Sequence, residues 1–136
     1  MNEKLSIAER TKVLTSLLSR KIQAFNDFYS ATLILGQHIK DKNVSNIEAM
    51  INLREKQIAD IDLINEQINE ISGGSLPKNI IIDDLNASLR DVIKKIQECD
   101  NKHLALAIKL FKENGDDLLS LRKEINALRA YREKQP

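Results

Sequence analysis

Mostly apolar residues recur every seven positions along the first forty residues in two rows. Leu18, Phe25, Thr32 and Ile39 form one row, and Leu14, Lys21, Phe28 and Leu35 form the other. A seven-residue period sustained over this length belongs to a helix that packs one face on other helices, because a strand changes sides at every residue. Ile22 and Tyr29 widen the seam. A second segment repeats the pattern with Ile47, Ile51, Ile58, Ile61 and Ile68, flanked by Met50, Ile64 and Ile71. The third is the longest. Its stripe begins Ile82, Leu85, Leu89, Ile93, Ile96, Asp100, Leu104, Ala107 and Phe111, and continues through Asn114, Leu118, Leu121, Ile125 and Leu128 in steps of three and four. With only four Gly, two Pro and 4% aromatic residues, the chain lacks the turn punctuation of a sandwich, a barrel or a doubly wound α/β fold. The expected fold is all-α, an antiparallel three-helix bundle or coiled coil in one domain spanning 1–136. Helix 1 is placed at about 6–41, helix 2 at about 45–72, a loop at 73–79 and a long helix 3 at about 80–131.

Local chemistry sets the breaks. In 41–46, Ser45 offers an N-cap hydroxyl and Glu48 stands three residues on, the spacing of a capping box. In 72–78, Gly73 and Gly74 admit left-handed dihedrals ahead of Pro77. At Gly115 the stripe keeps its phase, which favours a continuous or kinked helix, although Gly115 followed by Asp116 and Asp117 is also a stop-and-cap pattern. The segment after it then either projects from the bundle or folds back as a short fourth helix. Two polar residues interrupt the second stripe. The Arg54 stem is expected to pack along the seam with its guanidinium reaching water or a carboxylate, and Asn65 to help fix the register.

Charge and motifs narrow the function classes. Twenty-one Lys and Arg against twenty Asp and Glu leave a net charge of +1, with no field to draw a polyanion. Basic residues such as Lys94, Lys95, Lys109, Lys112, Arg122, Lys123 and Arg129 are interleaved with acids, so nucleic acid is not an expected partner. No stretch approaches 18 uncharged apolar residues and the first residues lack a signal core, so a cytoplasmic chain without membrane insertion is expected. Cys99, the lone thiol, reads as a core filler. His38 with Asp41, and Asp100 with His103, share helix faces, but a metal in a bundle also needs inward glutamates and the seams are Leu, Ile and Phe. No phosphate loop follows Gly73-Gly74-Ser75. The expectation is no catalytic residue, no metal and no cofactor.

Length carries the next step. At about 1.5 Å per residue the helices would span roughly 50, 40 and 70 Å. Three antiparallel helices bury only their shared length. Leu118, Leu119, Leu121, Ile125, Leu128 and Tyr131 are therefore expected to lack a full set of partners within the chain and to seek another helix or a second copy.

The pattern resembles the flagellar type III export chaperones of the FlgN and FliT kind, the FlgN-like branch more. The resemblance covers most of the chain: a long first helix ending near residue 40, Ile-Glu-Ala-Met-Ile-Asn-Leu-Arg-Glu-Lys-Gln-Ile-Ala-Asp-Ile at 47–61, Ile-Gln-Glu-Cys-Asp-Asn-Lys-His-Leu-Ala-Leu at 96–106 and Ala-Leu-Arg-Ala-Tyr at 127–131. Arg54 and Tyr131 stand where such proteins often carry an arginine and a tyrosine. The resemblance implies a cytoplasmic chaperone that binds the helical C-terminal region of a hook-associated (hook-filament junction) or filament cap protein. It would prevent premature assembly and deliver the subunit to the export apparatus. Carried onto this chain, the client-binding residues would be Phe111, Leu118, Leu121, Ile125, Leu128 and Tyr131, with Gly115 a departure from a plain helix. The alternative is a structural coiled-coil protein that forms a homodimer through the same stripe and has no client.

Overall fold

The computed structural model describes residues 6–111 and residue 123. Among them there are three helices and no strand: α1 (Ile7–Lys40), α2 (Val44–Ser72) and α3 (Ile80–Leu110). The fold is an all-α bundle running up, down and up. Expected and observed bounds of the first two helices differ by one residue at most, and the expected continuation of helix 3 to 131 lies outside the described residues.

Each helix begins on a side-chain cap. The Ser6 hydroxyl accepts from the Glu9 amide, and the Asn79 carboxamide accepts from the amides of Ile81 and Ile82. The α1–α2 connection is tighter than its sequence suggests. Lys42 takes a left-handed conformation (φ 55°), which lets the Asn43 amide return to the His38 carbonyl at 2.9 Å. The chain has reversed by residue 43, so the Asn43 side chain caps α2 by accepting from the Asn46 amide. Ser45, the expected cap, is already inside the helix. At the other end Gly73, at φ 66°, closes α2 by donating its amide to the Asn69 carbonyl.

The backbone of α1 lies close to both other helices, which approach one another less closely. The core is stacked in three clusters. At the end that holds the α2–α3 loop, Leu14, Leu17 and Leu18 meet Ile64, Ile68 and Ile82. In the middle, Phe25 and Phe28 meet Ile61, Leu89, Val92 and Ile96. At the α1–α2 turn, Leu35 and Ile39 meet Ile47, Ala107 and Phe111. All eight members of the two heptad rows in α1 are buried, Lys21 and Thr32 included. Cys99, expected in the core, is only half-buried.

Gly73→Ala should lower stability by about 1 kcal/mol, because a Cβ is disfavoured at this left-handed position while nothing nearby obstructs it. Urea denaturation followed by circular dichroism checks this, with helix content expected to stay the same.

Candidate functional site

Thr32 lies one heptad beyond Phe25 on α1, and Arg54 lies one heptad before Ile61 on α2. Asp100 lies one turn beyond Ile96 on α3. In the antiparallel register these three polar residues fall between the middle cluster and the cluster at the turn, and all three are fully buried. The Arg54 guanidinium donates through Nη2 to both carboxylate oxygens of Asp100, at 2.9 and 3.0 Å. Its central carbon sits 4.5 Å from the centroid of the Phe28 ring, a cation–π contact on the opposite partner helix. The Thr32 hydroxyl donates to the Phe28 carbonyl one turn back, at 2.8 Å, so it places no unmet donor beside the charges.

Gly36 completes the level. It is buried on α1, and a Cβ there would run into the imidazole of His103. The absence of a side chain lets the ring lie directly on the α1 backbone. His103 Nδ1 is buried with no hydrogen-bond partner among the described residues. Burial is the largest influence on its acidity and pushes its pKa below the ordinary 6.5. Asp100 pulls in the opposite direction, and Arg54 and Lys102 add smaller downward pushes. Asp100 and His103 share a face as their spacing required. That face holds an ion pair and a packed ring, and among the described residues no three His, Cys, Asp or Glu side chains gather in a way that would hold a metal ion.

Thr32, Arg54 and Asp100 are closed off from solvent, whereas His103 is half-buried. The chemistry of the ion pair is that of a register device. Each charge is compensated only when these particular turns of α2 and α3 face one another, and sliding either helix by a turn buries an unmatched charge. The sequence marked Arg54 as an interruption and put a carboxylate among its possible partners. The identity of that partner, and the role of Gly36, were not read from it. A lone glycine inside a 34-residue helix was the available signal for close approach by a neighbour.

Of the expected client-binding residues, Phe111 is described. It is 3% exposed and packs with Leu35, Ile39, Ile47 and Ala107, so it belongs to the core of the bundle rather than to an open surface. Leu118, Leu121, Ile125, Leu128 and Tyr131 lie outside the described residues. No helix among the described residues is long and apolar enough to cross a membrane. No protein-family model, no curated protein and no solved structure matches the chain.

Two measurements check this site. Arg54→Met removes the cation that faces the buried Asp100 carboxylate and should cost about 3–5 kcal/mol in urea denaturation, whereas adding Asp100→Leu should restore most of that loss. For His103 the unfolded chain takes up a proton more readily than the folded one. Its contribution to stability is therefore constant above about pH 7 and declines as the pH falls through 6.5 toward the lower folded value. The stability difference between the native chain and His103→Gln should change only in that acid range.

Proposed function

We propose that the chain is an export chaperone that shields the helical C-terminal region of a flagellar hook-associated or filament cap subunit and hands it to the type III export apparatus. One observation supports a capture surface. Ile39, Ile47, Ala107 and Phe111 pack in one cluster, so the α1–α2 turn and the end of α3 stand at the same level. The apolar spacing of the sequence nevertheless continues in phase through Leu118, Leu121, Ile125 and Leu128. The chain thus encodes a further apolar stripe after the point where α1 and α2 have turned back. The resemblance to the FlgN and FliT kind supplies the identity of the client, and helix-in-groove binding supplies the physics. A subunit tail with its own heptad stripe loses the surface that drives self-assembly once that stripe is covered, at about 25 cal/mol per Å² of apolar area. Moderate affinity suits a cargo that must be released.

The test uses purified full-length protein and purified hook-junction and filament cap subunits in titration calorimetry. Leu121→Asp and Ile125→Asp should leave helicity and melting nearly unchanged while abolishing binding of the subunit that the native chain captures. Loss of the whole fold in both variants would assign these residues to the core, and absence of binding by the native chain to either subunit would overturn the reading.

A further inference from the structure

The bundle has a second polar interruption, at its opposite end, and this one is open. Lys21, in the Leu14 row of α1, is 7% exposed. It lines the same cavity as Asn65 on α2, which with Arg54 interrupts the apolar stripe of that helix. This cavity, of about 580 Å³, is open to solvent on one side and lies between the last turns of α2, the 73–79 loop and the first turns of α3. This volume falls within the roughly 300–1,000 Å³ typical of small-molecule sites. Leu18, Ile68, Leu89 and Ile93 supply an apolar floor and wall. The polar lining includes the amides of Asn65, Asn69 and Asn86 and two cations, Lys21 and Arg90.

The lining is electrically one-sided. Among the described residues that form it there is neither an aspartate nor a glutamate. Lys21 and Asn65 both have interactions within the protein, and the described lining of the cavity carries no acidic side chain. Burial lowers the Lys21 pKa below its ordinary 10.5, the mark of a cation that has surrendered much of its hydration. Two cations and three amides thus line a space large enough for a guest.

We infer that this cavity binds a small organic anion with an apolar body, in chemical class a medium-chain carboxylate, whose head meets Lys21 and Arg90 and whose tail lies on Leu18, Ile68 and Leu89. The cations and amides select a charged, hydrogen-bond-accepting head, and the aliphatic floor selects against a purely inorganic ion. A charge-assisted contact made away from water sets the preference for the anion over its neutral analogue. This inference does not depend on the proposed export role.

The experiment is titration calorimetry on the full chain with decanoate, decanol and inorganic phosphate as separate probes. Decanoate should bind saturably at one site, and decanol and phosphate at least about tenfold more weakly. Lys21→Met keeps the aliphatic stem and removes the charge, and it should weaken decanoate binding by about tenfold or more with circular dichroism unchanged. Arg90→Gln changes an exposed side chain, does not threaten the fold, and should weaken decanoate without affecting decanol. Failure of decanoate to bind, equal binding of decanol or phosphate, or full binding by a folded Lys21→Met or Arg90→Gln chain would overturn the assignment.

Discussion

Enclosing a guanidinium and a carboxylate among Leu, Ile and Phe side chains strips both of water, and their attraction offsets that cost only in a narrow geometry. Arg54 and Asp100 meet with one nitrogen shared between two carboxylate oxygens and the aromatic face of Phe28 against the cation. Much of the surrounding packing follows from accommodating them. At this level α1 contributes Thr32, whose hydroxyl turns back to its own helix, and Gly36, whose missing side chain admits the His103 ring. The apolar clusters on either side belong to the hydrophobic core. Those clusters are less sensitive to α2 or α3 sliding by a heptad, since one apolar residue mostly replaces another along both stripes, and the charge pair is the element that does not tolerate it.

The two polar levels show how one architecture treats a buried cation in two ways. Near the α1–α2 turn the cation comes from α2, the carboxylate from α3, and the site is sealed. Toward the α2–α3 loop the cation comes from α1, and it lines a cavity to which α2 and α3 contribute three amides. Both levels sit in the same heptad framework. The difference lies in which residues occupy the facing positions on the other helices.

Much of this was legible before any coordinates. The heptad rows in α1 named eight residues and all are buried, because period alone selects the face of a long amphipathic helix. Arg54 and Asn65 stood out as interruptions, and each belongs to one of the polar levels. The pairing of Arg54 with Asp100 was not legible: the partners are 46 positions apart, and matching them requires the register of two helices set by separate turns. The cap of α2 was misread for a local reason. A capping box at Ser45 and Glu48 satisfies the sequence pattern, but the left-handed Lys42 completes the turn early and gives the cap to Asn43. Phe111 was assigned to a client face because it shares the phase of the residues beyond it. Phase cannot show where the shared length of the bundle ends, and the packing with Ile39 and Ile47 does.

A locked register also bears on the proposed role. A protein that captures amphipathic helices must distinguish its own helices from its guest's, since both carry the same apolar period and a guest helix is a chemical substitute for α2 or α3. An all-aliphatic bundle resists such invasion only through small packing differences. Here an invading apolar helix that displaced α3 would leave the Arg54 guanidinium without Asp100, and one that displaced α2 would leave the carboxylate without its cation. Either exchange separates a buried charge from its counter-charge, at a cost of about 3–5 kcal/mol. Under the proposed role, the charge pair would confine a docking helix to surfaces outside the core, where apolar area can be covered and uncovered without the bundle losing its own arrangement.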